Sequence, residues 1–165
     1  MKYIGKNCEN YLNFIRIGSG TYSNVYRALD KKNQIYDAIK EIDKLRFNQP
    51  KEVLKNEVEI MKKIQNENSV ELREIIETNE FFYIITEYCE YDLETYINQK
   101  RQKSFSVNEI TETLIQINNT LKLMLKEELN HRDLKPKNIL ISLSTLNKNI
   151  IKLLIMVQQK QFLKQ

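Results

Sequence analysis

Tryptophan is absent from these 165 residues, and glycine occurs three times, proline twice, cysteine twice and histidine once. Two cysteines, Cys8 and Cys89, make no disulfide framework and lack the spacing of a zinc site. Such sparing use fits a reducing compartment, so the cytoplasm is expected, with the nucleus as the alternative. No run of about 18 apolar residues exists, which excludes a membrane-spanning helix. The opening Met1-Lys2-Tyr3-Ile4-Gly5-Lys6 lacks the apolar core of a secretory signal. Charge of one sign is not concentrated: 26 Lys and Arg lie scattered among 22 Asp and Glu, for a net +4. Solvated faces are therefore expected rather than a nucleic-acid stripe, and no nucleic-acid partner is expected. No internal repeat is visible. The scarcity of Gly, Pro and Trp beside abundant Asn, Gln and Lys matches A/T-rich coding DNA better than any physical demand.

What is present suffices for one domain with a core, at 41% hydrophobic and 29% charged residues. The first half reads as strands with one helix. Tyr11–Ile17 alternates apolar and polar, Gly18–Thr21 breaks it, and Ser23–Leu29 resumes. Asp30-Lys31-Lys32-Asn33 is a turn cluster, and Ile35–Ile39 is a third strand. Phe81–Ile85 is apolar throughout, as a strand buried on both faces would be, and pairs with Val70–Glu77 through Thr78-Asn79-Glu80. Between them a helix is expected over about 50–65, with Pro50 in its first turn. Val53, Ile60 and Ile64 share one face with Glu57. A carboxylate on an apolar face is costly unless paired, so Lys40 is expected as its partner. The second half turns helical. Ser106-Val107-Asn108-Glu109 fits a capping box. Val107, Ile110, Leu114, Ile117, Leu121 and Met124 then form an amphipathic stripe expected to face a core.

Several clusters carry chemistry. Ile17-Gly18-Ser19-Gly20-Thr21-Tyr22-Ser23-Asn24-Val25 lies between two strands, where glycines let backbone N–H groups approach phosphates; a plain hairpin turn uses the same residues. The strand–turn–strand setting argues against a dinucleotide fold, which needs strand–turn–helix. Lys40 ends the strand Asp37-Ala38-Ile39-Lys40, and gains meaning beyond a solvated edge from the carboxylate of Glu57. Asp92 opens a helix, where capping is favoured over contact with a ribose. The most informative run is His131-Arg132-Asp133-Leu134-Lys135-Pro136-Lys137-Asn138, which sets an Asp, a Lys and an Asn at fixed offsets from the only histidine.

In order and spacing these runs resemble the Gly-rich loop, strand lysine, hinge and catalytic loop of eukaryotic protein kinases of the Ser/Thr type, over about Tyr11 to Leu153. The resemblance implies an α+β fold of two lobes, a sheet with one helix and then the start of a helical lobe. It implies ATP and Mg²⁺ as cofactors and a protein substrate whose Ser or Thr hydroxyl accepts the γ-phosphoryl. In that likeness Asp133 orients the attacking hydroxyl, Lys135 neutralises charge on the γ-phosphate and Asn138 ligates Mg²⁺. The nucleotide falls to Gly18, Ser19, Gly20, Thr21, Val25, Ala38, Lys40, Glu57, Glu87, Cys89 and Leu140. Ile85-Thr86-Glu87-Tyr88-Cys89 resembles the hinge, with Thr86 as gatekeeper and Cys89 a small unreactive thiol. His131 is a packing residue in the family. The sequence departs from the pattern at Asp37 (Val in the family), Ser23 (Gly) and Lys137 (Glu).

The pattern breaks after Leu153. A kinase would run into Asp-Phe-Gly, whose Asp holds the principal Mg²⁺; this chain reads Leu154-Ile155-Met156-Val157-Gln158 and ends at Gln165. Reading instead from the last base of the Leu154 codon, that base with the AT of Ile155 encodes Asp if it is G. The G of Met156 with the GT of Val157 must then encode Gly. The shifted frame permits Asp-Tyr-Gly-Ser-Ala-Lys, so the expectation is that a one-base shift created residues 154–165. A genuine short chain with an unrelated tail is the alternative. The expected organisation is a partial kinase domain at 11–153, with an N-lobe at 11–86, a hinge at 87–91 and the start of a C-lobe at 92–153. The break sets an expectation against catalysis by the chain as given. Two other classes therefore stay open: a catalytically inactive nucleotide-binding or scaffold module, and a non-functional fragment.

Overall fold

The structure is a computed structural model that describes residues 4–100, 105–131, 133–143 and 149–155; the tail expected at 154–165 lies outside it from residue 156. It divides into two compact units. The first runs up to Pro50 and adds Glu71–Tyr88; the second is Lys51–Val70 with the described residues from Cys89 onward.

The first unit begins with a one-turn helix α1 (Ile4–Asn7). Strands β1 (Tyr11–Ser19), β2 (Ser23–Asp30) and β3 (Tyr36–Asp43) follow, then a short helix α2 (Lys44–Phe47). Strands β4 (Leu72–Glu77) and β5 (Phe81–Glu87) complete an antiparallel sheet in the order β1-β2-β3-β5-β4. The turns are set by side chains. The Asp30 carboxylate accepts from the Lys32 N–H at 2.8 Å and from Asn33 Nδ2 at 2.6 Å, which folds the β2–β3 connection as expected of its turn cluster. Thr78 Oγ1 accepts from the Phe81 N–H at 3.0 Å and closes β4 onto β5.

Because side chains alternate along a strand and cross-strand partners share a face, register decides which residues meet. Val25 stands opposite Lys40, and Ala38 opposite Thr86. The other face carries Tyr26, Ala28, Ile39, Tyr83 and Ile85, which form a core with Ile4, Cys8 and Tyr11. Phe82–Thr86 are all buried, in keeping with the apolar run.

In the second unit helix α3 spans Lys51–Lys63, so Pro50 just precedes it rather than sitting inside. Its buried residues are Val53, Leu54, Glu57, Val58 and Met61. Val53, Glu57 and Ile64 of the expected face are buried and Ile60 is half-buried, while Leu54, Val58 and Met61 widen the buried face. After the two-residue strand β6 (Tyr91–Asp92) come α4 (Leu93–Gln99) and the long α5 (Val107–Lys126). A 3₁₀ turn (Pro136–Asn138) and the strands β7 (Ile139–Leu143) and β8 (Asn149–Leu153) follow, with β6-β7-β8 as a small sheet.

The expected capping box at α5 is formed: Ser106 Oγ accepts from the Glu109 N–H at 3.2 Å, and the Glu109 carboxylate accepts from the Ser106 N–H at 2.9 Å. Its apolar stripe is covered only toward the C-terminal end, where Ile117 and Leu121 are half-buried and Met124 is buried, and its first half is uncovered. Val107 is 78% exposed, Leu114 60% and Ile110 49%, whereas Thr120 and Met124 are the buried residues. The face that packs inward also carries polar side chains, which satisfy buried backbone and amide groups. Gln116 Oε1 accepts from Asn68 Nδ2 and from the Ile151 N–H, and Thr120 Oγ1 donates to the Asn68 carbonyl at 2.7 Å. Those groups would be costly if left unpaired.

Candidate active site

The candidate residues fall into two groups, one in each unit. In the first, β1 and β2 carry the Gly-rich turn. Gly18 faces Val25 in register, and a Cβ built on Gly18 would meet the Val25 Cβ at an ordinary 3.6 Å. Gly20 is the tighter position: an added Cβ would lie 3.2 Å from Ser23 Oγ. Neither glycine has a positive φ. The Gly20 N–H donates to the Ser23 carbonyl at 2.7 Å, so that donor is spent inside the turn, while Ser19 and Thr21 are exposed. Val25, Ala38, Lys40 and Thr86 then line one face of the sheet through the pairings Val25–Lys40 and Ala38–Thr86.

Glu87 ends β5. Its N–H donates to the Glu71 carbonyl at 3.0 Å and its carboxylate accepts from the Glu71 N–H at 2.8 Å, which fixes the exit of the strand. Beside it lies a group that the sequence reading missed. The Arg27 guanidinium sits 4.5 Å from the Tyr36 ring centroid and 5.7 Å from that of Tyr88. The register Arg27–Ala38 and Leu29–Tyr36 brings it there, and no local period signals a stack between residues on three separate segments.

Asp37, the residue in place of valine, points to the opposite face. It is 2% exposed, with Arg73 Nε 3.8 Å from its Oδ1. Burial pushes its carboxyl up to about 6, against the pull of Arg73. Glu41 shares that face and accepts from the Tyr83 hydroxyl at 3.2 Å. Cys8 is buried there too, and desolvation pushes its thiol up to about 12, so it is an inert packing group.

The second group is the loop from His131 to Asn138. His131 is buried and its Nε2–H donates to the Leu154 carbonyl at 2.9 Å. The Asp133 N–H donates to the His131 carbonyl at 2.8 Å, and the Leu154 N–H to the Asn138 carbonyl at 2.9 Å. The loop is thus braced at both ends. Inside it, Lys135 Nζ lies 2.8 Å from Asp133 Oδ2, and Asn138 Nδ2 donates to that same oxygen at 2.9 Å and to the Asp133 carbonyl at 2.7 Å. The bond from Lys135, and then that from Asn138, hold the Asp133 carboxyl below its ordinary value. Asp133 is therefore ionised at neutral pH.

Asn138 is buried, and no hydrogen bond among the described residues uses its Oδ1. That leaves one hard oxygen beside an ionised carboxylate. Among the described residues there is no cluster of three or more His, Cys, Asp or Glu able to hold a metal. This donor set suits Mg²⁺, which takes few protein oxygens and completes its shell with water and phosphate, better than a metal needing a full protein cage.

Leu140 is half-buried on β7, opposite Asp92. Asp92 caps α4 as expected, accepting from the Thr95 N–H at 2.8 Å. Burial works to raise its carboxyl, but the bonds from Thr95 outweigh it and the net shift is down. Glu57 is buried on α3, and Cys89 is half-buried outside any disulfide. Lys137 is exposed, with its Nζ 3.3 Å from the Glu94 carboxylate.

A protein kinase domain model matches residues 11–155. The chain is 39% identical over 125 residues to calcium-dependent protein kinase 5 of Plasmodium berghei, covering 76% of this chain and 22% of that protein. It is 34% identical over 137 residues to cyclin-dependent kinase F-4 of Oryza sativa, covering 83% and 28%. It is 33% identical over 137 residues to serine/threonine-protein kinase ULK3 of Xenopus laevis, covering 81% and 29%. The chain thus spans between a fifth and a third of the length of these relatives.

Proposed function

This chain belongs to the protein kinase family, and from that premise we propose that it binds ATP with Mg²⁺ and transfers the γ-phosphoryl to a Ser or Thr hydroxyl of a protein. The observation that carries this reading is the Asp133–Lys135–Asn138 constellation, an ionised carboxylate held by a cation and an amide on a braced loop. Phosphoryl transfer asks little covalent chemistry of the protein; it asks for positioning and for charge where charge develops.

Asp133 accepts a hydrogen bond from the substrate hydroxyl and takes its proton as the oxygen attacks the γ-phosphorus. The bond from that phosphorus to the β–γ bridging oxygen breaks, and ADP leaves with the electron pair. Lys135, half exposed, swings its ammonium from Asp133 to the transferring group, which frees the carboxylate for the hydroxyl. Mg²⁺, when bound, neutralises the phosphate oxygens, and Asn138 Oδ1 would be its ligand from this loop. Lys40, Val25 and Ala38 on their sheet face would take the nucleotide, with the turn from Gly18 to Thr21 over the phosphates.

A second reading is a module that binds nucleotide without transfer. It is favoured by the single oxygen ligand on the loop and the lack of a three-ligand cluster among the described residues. One experiment separates the two. ATP affinity and phosphate incorporation into a Ser/Thr peptide are measured for the chain and for Asp133→Asn. Transfer by the parent that falls at least about 100-fold in the variant, with ATP affinity retained, supports the enzyme. Binding with no transfer by either supports the module.

A further inference from the structure

The pairings Leu12–Leu29, Leu29–Tyr36 and Ile15–Arg27 put five side chains on one face of the first unit's sheet, beyond Val25 toward the β2–β3 turn. None of the five is a candidate active-site residue. We propose that this shelf is a docking surface for an extended segment of a protein partner, one that sets an Asp or Glu between two bulky apolar residues.

Arg27 is the centre of the shelf. Its guanidinium lies 4.5 Å from the Tyr36 ring centroid and 5.7 Å from that of Tyr88, and the two rings meet edge to face at 6.5 Å. Stacking of this kind fixes the plane of the guanidinium, whose fork matches a carboxylate. Among the described residues nothing fills that fork: the Nε–H is buried without an acceptor, and no carboxylate pairs with the group. The side chain as a whole is only half-buried, so a carboxylate can reach it from solvent. The acidic residues nearest in the strands do not compete. Asp30 is opposite Tyr11 and Asp37 opposite Ala28, and both therefore belong to the other face. The β2–β3 turn adds two exposed cations, Lys31 and Lys32. Around Arg27 the surface is apolar: Leu12 is 45% exposed, Ile15 49% and Tyr36 43%. Apolar side chains grouped about an unpaired cation mark a contact surface more than scattered ones do. A strand repeats its facing side chains every second residue, so a partner that reads apolar-x-acid-x-apolar lays all three on the shelf.

The test uses the whole chain, tethered at low density, and three peptides of equal length that carry Leu-x-Glu-x-Leu, Leu-x-Gln-x-Leu or Leu-x-Lys-x-Leu. Binding is read without nucleotide, so its outcome is independent of phosphoryl transfer. The Glu peptide is expected to bind, more weakly as salt rises, and the other two to bind at least about tenfold less. Arg27→Glu is expected to reverse the preference between the Glu and Lys peptides. Ile15→Gln, at an exposed position that leaves Arg27 in place, is expected to weaken the Glu peptide about threefold while keeping it ahead of the Gln peptide. Thermal scans check that both variants melt with the parent, and if Arg27→Glu fails to fold, the Ile15→Gln result decides. Equal binding of the three peptides, binding of none, a preference that survives Arg27→Glu, or a Glu-peptide affinity unchanged by Ile15→Gln overturns the proposal. So does self-association of the parent that Arg27→Glu abolishes while no peptide binds, since the shelf is then an interface between copies.

Discussion

Two carboxylates, Asp37 and Asp133, are shifted in opposite directions, and each shift has a measurable consequence. Asp133 sits below its ordinary value of 3.8 because Lys135 and Asn138 bond its ionised form. If it receives the substrate proton, the acid limb of the transfer rate set by this group lies below pH 3.8, and Lys135→Ala moves that limb upward; a pH–rate profile of both proteins checks this. Asp37 is raised from 3.8 to about 6 by burial. Below 3.8 it is protonated in both folded and unfolded chains and costs nothing. Between 3.8 and about 6 the unfolded chain ionises while the folded one keeps its proton, so stability falls as pH rises, and above that the penalty is constant. At 1.36 kcal/mol per unit the penalty is on the order of 3 kcal/mol. Asp37→Val is therefore expected to raise the melting temperature at pH 7.5 and to lose that advantage by about pH 4, measured by thermal scans across pH. The contrast shows what a sequence can tell. The roles assigned to Asp133, Lys135 and Asn138 rest on a contiguous run, so their offsets were legible. The burial of Asp37 depends on Ile4, Cys8 and Tyr11 covering the far face of the sheet, and nothing in the run Asp37–Lys40 announces that cover.

At the scale of elements, local chemistry was the readable part. The capping box at Ser106 followed from four residues, and its energetic weight is local too. Ser106→Ala removes an acceptor from the first turn of α5 and should cost about 1 kcal/mol, read as a lower denaturant midpoint at unchanged slope. Ser106→Asp should retain most of that stability, since an Asp side chain can accept the same bond. Strands β1 to β5 were legible because their alternation and turn residues agreed. Short elements were not: α1 and α2 are four residues each, β6 is two, and none carries a period long enough to count. Strand β7 was not legible either, because the apolar run Ile139-Leu140-Ile141 is three residues long, too short for its period to separate strand from helix. Helix α5 was legible with its box, and its stripe meets a core only from Ile117 to Met124. Hydrophobic periodicity points the apolar stripe inward by default. Here Gln116 and Thr120 turn inward as well, because the loop at Asn66–Asn68 and the edge of β8 present polar groups that such side chains satisfy.

That facing governs how the whole chain behaves in solution. Val107, Ile110 and Leu114 lie on one side of a 20-residue helix, and all are exposed. Ile115 and Leu125 are also exposed on the same helix, at 56% and 76%. Single exposed aliphatic residues are ordinary, but a row of them on one element is a contiguous patch of the kind that seeks another surface. A net charge of +4 over 165 residues supplies modest repulsion against association. The chain expressed alone is therefore expected to self-associate, with an apparent mass by light scattering that rises with concentration. Val107→Gln, Ile110→Glu and Leu114→Lys together should return it to a monomer. Because those side chains are already in water, the triple variant should keep its melting temperature, each change falling within about 0.5 kcal/mol. The distinction matters for the kinase reading, since an inactive aggregate would mimic an inactive enzyme. The monomeric variant leaves the Asp133 loop untouched, so ATP binding and transfer measured on it report on the site rather than on the state of the sample. A parent chain that runs as a monodisperse, cooperatively melting monomer would mean that this helix face is tolerated in water, and any lack of transfer would then be a property of the active site itself.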